Sequence, residues 1–270
     1  MKVVRHREVY DKDTLATFVG LGDLHYGTKN FDDVKFKKFI DWAKVTENLF
    51  IFLMGDLGEF INHKDSKRFN PDNIISECLI SLGDIINFQV KKICELLEPI
   101  KDRIRGTVIG NHEEMIQHHF VDDLYYDICK RLGILEYDLG IGGFIVYDFE
   151  HKSGGNVKRL TFNVQHTMST GRKLGGKSNR LEDLFSQYEC DVIMRGHSHD
   201  RLAVPFLSHY VSKSAEHKER KRLGIITGSF LKTRKEETTS YADKADYPSK
   251  DRGVVIVTFN PNNADLHAMV

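Results

Sequence analysis

An α/β fold is predicted for this 270-residue chain by three observations. Short apolar runs stop at polar or glycine-containing turns, amphipathic stretches of helical period lie between them, and the two alternate along the sequence. Apolar runs this short read as strands buried on both faces, so helices must cover the outer sheet surfaces.

Residues 16–21 form the first such strand and run into Gly22-Asp23-Leu24-His25. Residues 31–46 place Val34, Phe36, Phe39, Ile40 and Ala43 near one helical face. Residues 49–54 are a second strand, ending at Gly55-Asp56, and residues 74–97 form a longer amphipathic stretch closed by Pro99. A third strand, residues 107–109, leads into Gly110-Asn111-His112-Glu113, and a helix over 121–132 ends at Gly133, a C-terminal cap. Residues 160–164 run into Gln165-His166, and a short helix over 181–188 precedes a strand at 191–194 that leads into Arg195-Gly196-His197-Ser198-His199. Residues 143–148, 223–227 and 254–259 read as further strands, assigned to a second sheet. No linker rich in Pro, Gly or Ser and no repeat interrupts the pattern, so residues 1–270 are read as one domain.

Composition narrows the class. At 40% hydrophobic the chain can fill one substantial core, which sets aside disorder, collagen and coiled coil. Basic and acidic residues both total 39, so no global field draws it to nucleic acid or an anionic membrane. Cys78, Cys94, Cys129 and Cys190 form no Cys-x-x-Cys pair, a pattern of reduced thiols rather than of disulfides or structural zinc. The first residues are too polar for a signal peptide, and no apolar run is long enough to cross a bilayer; an intracellular, cytoplasmic protein is expected.

The turns after the strands carry the chemistry. Asp23 and His25 are separated by one residue, as are His197 and His199, so each pair can point to the same side of an extended strand end. Asp56 and Asn111 each follow a glycine, which permits a tight turn and close approach to a ligand, and His166 ends a further strand. Two carboxylates, one amide oxygen and four imidazoles result. Such mixed oxygen and nitrogen donors favour Mn²⁺, Fe²⁺ or Zn²⁺ over Ca²⁺. Seven ligands are too many for one tetrahedral ion but suit two ions sharing a carboxylate, roughly 3.5–4 Å apart. His112, beside Asn111, is then the candidate proton donor to a leaving oxygen, with Glu59 to orient it.

The ordered blocks Asp-x-His, Gly-Asp, Gly-Asn-His-Glu, His and Gly-His-x-His resemble the calcineurin-like metallophosphoesterase superfamily, from Asp23 to His199, about two thirds of the chain. The resemblance implies a four-layer α/β/β/α sandwich with two mixed sheets and metals at the strand ends. It implies that Asp23, His25 and His199 hold one metal and Asn111, His166 and His197 the other, with Asp56 bridging. It gives His112 the proton-donor or transition-state role and Glu59 the acidic position that orients it. Two divalent ions are implied, Mn²⁺ first, with Fe or Zn²⁺ as alternatives. Gly55-Asp56-Leu57-Gly58-Glu59-Phe60 departs from the protein Ser/Thr phosphatases in lacking their arginine, while His197-Ser198-His199 is similar to the phosphodiesterase and nuclease branches. The stretch from His166 to Gly176 looks like small enzymes of phage and bacterial genomes, which places the protein in a bacterial or phage-infected cytoplasm.

The expected activity is hydrolysis of phosphoesters, with phosphodiesters of DNA or nucleotides as the first substrate class. Phosphomonoester hydrolysis, including that of phosphoproteins, is the second reading, and a non-catalytic binding scaffold the third. Arg172, Lys173 and Lys177, with Arg180 and Gly175-Gly176, are read as a basic loop beside the metals that binds substrate. His63, Lys64, Lys67 and Arg68 and the later Tyr241 and Tyr247 are further residues that could meet it.

Overall fold

The computed structural model describes residues 1–61, 69–120, 123–155, 157–168, 171, 173–232 and 250–270. In chain order the elements are β1 (Lys2–Tyr10), β2 (Ala16–Leu21), α1 (Asp33–Val45), β3 (Leu49–Leu53), α2 (Ser76–Ile80), α3 (Ile85–Leu97) and β4 (Ile104–Thr107). Next come α4 (Asn111–Phe120), α5 (Leu124–Leu132), β5 (Gly142–His151), β6 (Lys158–Gln165), α6 (Leu174–Gln187) and β7 (Val192–Arg195). The series is completed by β8 (Arg201–Val211), β9 (His217–Thr227), β10 (Ile256–Asn260) and β11 (Asp265–Met269).

These strands form two mixed sheets, one ordered β1-β5-β6-β7-β9-β8 and the other β11-β10-β2-β3-β4. Alternation along the central strands explains how the sheets stack. In β2 and β3, Phe18, Phe50 and Phe52 face the other sheet, while Val19, Leu21, Ile51 and Leu53 pack under α1, α3 and α5. From the opposite sheet, Ile145, Tyr147, Phe162, Val192, Met194 and Ile225 complete the shared core. Ring contacts cross the gap: Phe18 to Phe162 at 4.8 Å, Phe18 to Tyr147 at 4.9 Å and Phe52 to Phe162 at 5.0 Å. Such pairs add about 0.5–1.5 kcal/mol each beyond their area burial. The outer face of the six-stranded sheet packs Ile193 and Ile226 against Leu181 and Leu184 of α6. The layers are therefore helix, sheet, sheet, helix, an α/β sandwich. Among the described residues no helix is long and apolar enough to cross a membrane.

Several elements differ from expectation for identifiable reasons. β1, β8 and β11 stand at sheet edges with much of their length exposed; β1 and β11 carry no long apolar run, and the run in β8 is interrupted by Pro205. The stretch 74–97 is broken by a 3₁₀ turn at Leu82–Asp84, which separates α2 from α3. The expected strand at 107–109 lies earlier, as β4: Val108 N still bonds Leu53 O, but Ile109 N turns to Gly140 O. Gly133 does cap α5, at φ +71°, with its N–H on Cys129 O and Lys130 O. Of the segment expected to be a basic loop, residues 174–180 are the start of α6, which begins at Leu174 rather than 181.

Candidate metal centre

β2, β3 and β4 run parallel to one another, as do β6 and β7, so the turns after them gather at one end of the sandwich. The turns are laced together by main-chain bonds. Asp23 N donates to Gly55 O, His25 N to Asp56 O and Tyr26 N to Leu57 O, each at 3.0 Å, and Gly196 N donates to His166 O at 3.0 Å. His197 N donates to Asp23 Oδ2 at 2.9 Å, which joins the two sheets at this edge. Glycine is required where two turns touch: a Cβ on Gly110 would sit 2.1 Å from Asp56 N, and one on Gly55 2.4 Å from Gly110 N.

Glu113 fixes this contact. It is buried in the first turn of α4, and its Oε2 accepts from Asp56 N at 3.0 Å and Gly110 N at 3.1 Å. Its Oε1 accepts from Leu57 N at 2.8 Å. Asp56 Oδ1 in turn accepts from His112 N at 2.9 Å, placing a carboxylate at the start of that helix. Glu113 was assigned no role from sequence. The last position of Gly-Asn-His-Glu was its only signal, and an acid in a helix's first turn is commonplace.

Nine non-glycine residues among those described have positive φ, and five of them are candidate ligands: Asp23 (50°), His25 (46°), Asp56 (50°), His197 (65°) and His199 (56°). Left-handed backbone costs about 1–2 kcal/mol per L-residue, and it concentrates where a site over-determines the geometry. The outcome is convergence. Ligand atoms of Asp23, His25 and His199 lie within 4.8 Å of one another, as do those of Asp56, His166 and His197. Between these groups, His25 Nε2 is 3.7 Å from Asp56 Oδ2. Asn111 Oδ1 joins the second group, 3.0 Å from His166 Nε2.

The ring nitrogens turned away from the centre are anchored. His166 Nδ1 donates to Met54 O at 2.6 Å, leaving Nε2 to face Asp56 Oδ2 at 3.2 Å. His25 Nδ1 pairs with Glu59 Oε2 at 2.9 Å, leaving Nε2 3.3 Å from His199 Nε2. A carboxylate or carbonyl behind an imidazole, fixing its tautomer and aim, is the usual support of a metal-binding histidine. The Glu59 carboxylate therefore serves His25, and the orientation of His112 expected of it comes from the Glu59 main-chain oxygen, which accepts from His112 Nδ1 at 2.7 Å. The His112 ring stands edge-on to His25, with centroids 4.6 Å apart.

Electrostatics follow from this crowding. Burial alone would lower the His25 and His166 values, but neighbouring carboxylates outweigh it and raise both to about 9, Glu59 foremost for His25 and Asp56 for His166. Burial opposes ionisation of Asp56, yet the His166 hydrogen bond and the His25 and His166 charges hold its carboxyl well below the usual range. Asp23 is lowered against burial by His199 and His166, and Glu59 by its bond to His25. His197 is lowered by burial and by the charge of His166.

The residues fit a pair of divalent cations. Asp23 is fully buried, and its Oδ1 has no hydrogen-bond donor, resting 3.3 Å from His199 Nε2. An ionised oxygen so placed is costly unless a cation faces it. Of the three cations expected to contact substrate, Lys173 is exposed just ahead of α6 and Arg172 lies outside the described residues. Lys177 departs from that role: it is buried, and its ammonium is paired with Asp200, next to His199. Lys250 Nζ also reaches Asp200 Oδ2, at 3.2 Å. His63, Lys64, Lys67, Arg68, Tyr241 and Tyr247 lie outside the described residues.

No protein-family model and no curated protein matches the chain. Among solved structures it is similar to a conserved uncharacterized protein, a predicted phosphoesterase, from Streptococcus pneumoniae TIGR4, at 13% identity and TM-score 0.35, covering 92% of this chain and 84% of the other. It is similar to Vps29 complexed with Zn²⁺ from Entamoeba histolytica, at 9% identity and TM-score 0.40, covering 94% and 97%. A metallophosphoesterase from Sphaerobacter thermophilus is similar at 10% identity and TM-score 0.38, covering 94% and 88%. At these values the functional reading rests on the geometry above.

Proposed function

We propose that the chain is a two-metal phosphoesterase of the calcineurin-like superfamily, acting on phosphodiesters of DNA or nucleotides, with Mn²⁺ as the working ion and Fe or Zn²⁺ as substitutes. The observation that carries this is the convergence of Asp and His side chains, five of them on left-handed backbone, around an unpartnered carboxylate oxygen. In this reading Asp23, His25 and His199 hold one ion, Asn111, His166 and His197 the other, and Asp56 serves both. Bound there, two divalent ions supply an activated water and neutralise phosphoryl charge.

The protein's own groups do the rest. Glu59 and Met54 O keep His25 and His166 aimed inward, and Glu113 holds the Asp56 and Gly110 turns in contact. His112 is the proton donor. Because its Nδ1–H is engaged by Glu59 O, only Nε2 is free to deliver a proton to the leaving oxygen, and delivery needs the doubly protonated ring. The four free cysteines support a reducing, cytoplasmic setting.

The test is hydrolysis of bis-p-nitrophenyl phosphate and p-nitrophenyl phosphate, after metal is stripped and Mn²⁺ restored. Mn²⁺-dependent turnover of the diester that Asp56→Asn abolishes is the expected result. Metal-independent turnover, or turnover untouched by Asp56→Asn, would overturn the assignment; turnover of the monoester alone would leave the centre and remove the diester preference.

A further inference from the structure

Beside the ligand cluster lies a cavity of about 280 Å³, with His25, Glu59, His112 and His199 along one side. Its other walls include Asn30, Ile61, Asn73, Ile74 and Leu231, with Asn70, whose carboxamide oxygen is taken by Asp72 N at 3.0 Å. The walls are pre-formed, because main-chain bonds tie their three segments together. Lys29 N donates to Asn73 O at 2.8 Å, Ile75 N to Gly27 O at 3.0 Å and Lys232 N to Asn30 O at 2.8 Å. Phe31 and Leu231 form a bridge between the same segments.

The backbones of Asn30 and Asn73 are thus engaged, while their carboxamides make no hydrogen bond with another described residue. A carboxamide offers a donor and an acceptor side by side. That pair matches the edge of a neutral heterocycle, which presents both. A phosphate oxygen only accepts, and the charge-assisted donors that bind it best are Arg and Lys. Among the described residues none of the lining side chains is lysine or arginine. Ile61, Ile74 and Leu231 add apolar surface suited to the flat face of a ring.

We propose that this cavity receives the nucleoside of a nucleotide ester while its phosphorus sits at the ligand cluster, so that the preferred substrate is a nucleotide rather than a duplex bound by its backbone. This rests on the phosphoesterase reading. The reaction adds a water oxygen to phosphorus, breaks the P–O bond to the leaving alcohol and returns a proton to that oxygen. Asn30 and Asn73 are the specificity-determining residues.

The experiment compares the 5′-(p-nitrophenyl) phosphates of thymidine, cytidine, adenosine and guanosine with methyl p-nitrophenyl phosphate, which shares their leaving group. The expected result is that kcat/KM favours at least one nucleoside ester over the methyl ester by about tenfold or more, and that Asn30→Ala/Asn73→Ala brings this ratio toward one. A ratio near one in the wild type, or one that survives in a double variant of unchanged denaturation midpoint, overturns the proposal. If the wild type hydrolyses none of these diesters, the phosphodiester reading fails separately. The cavity is then judged by calorimetric titration with the four nucleoside 5′-monophosphates, where binding lost in the double variant supports it and no binding overturns it.

Discussion

Most of the candidate ligand residues were legible in sequence because each block pairs a ligand-type side chain with the end of an apolar run. Asp23, His25, Asp56, Asn111, His166, His197 and His199 converge as those blocks imply. Partnerships across the fold were not legible. Nothing in the spacing of Glu59 says that its carboxylate meets His25 and only its main chain meets His112. His112 provides the first residue-level prediction. His112→Ala should lower kcat by about 10²–10⁴-fold while Mn²⁺ stoichiometry is retained; the His112 ring also lies among ligand atoms of His25 and Asp56, so loss of an ion in that variant would make it a ligand instead.

The raised values of His25 and His166 yield a second prediction. Without metal, both rings gain protons on folding, so their contribution to stability is full below the unfolded value of 6.5 and is lost as pH rises through about 9. A metal must displace those protons. Mn²⁺ affinity should therefore fall as pH drops below about 9, with protons released on binding. Calorimetric titration in two buffers of different ionisation enthalpy counts them, and no release at neutral pH would contradict the account.

At the scale of elements, burial decided what could be read. β2, β3 and β7 are wholly buried and were visible as apolar runs, as was the mostly buried stretch 160–164 of β6, whereas the edge strand β1 is interrupted by charge and β8, nowhere fully buried, by Pro205, and neither was read as a strand. Gly175 and Gly176 suggested a loop, yet α6 begins through them and carries Lys177 inward to Asp200. That pairing steadies the turn holding His199. Lys177→Met should weaken Mn²⁺ binding and lower stability by less than the roughly 3–5 kcal/mol typical of a broken buried pair, because Lys250 still reaches Asp200. Mn²⁺ titration and chemical denaturation check both parts.

β1 carries a separate pH dependence. His6 is buried against Tyr147, with ring centroids 4.7 Å apart, and its Nε2 meets Arg105 O at 2.7 Å. Burial lowers its value below 6.5, so the unfolded chain binds the proton more readily, and stability is full above pH 6.5 and falls below it. His6→Gln should flatten that acid-side fall in denaturation midpoints measured on either side of pH 6.5; an unchanged slope would remove His6 as its source.

For the whole molecule, the two sheets matter as a pair. Each supplies part of the ligand set, β2, β3 and β4 giving Asp23, His25, Asp56 and Asn111, and β6 and β7 giving His166, His197 and His199. The aromatic core between them sets how closely the two parts approach, and the His197 N to Asp23 Oδ2 bond closes the edge. Alternating strands and helices predicted the layers. Which strands belong to which sheet depends on pairing between distant segments, such as β2 with β10, and short-range periodicity does not encode it. The most direct measurement is a Mn²⁺ titration of chelator-stripped protein, in the wild type and in Asp56→Asn. The account predicts two ions per chain, both weakened by the one substitution because Asp56 lies between the two ligand groups. A single ion, or two that Asp56→Asn leaves unchanged, would contradict it.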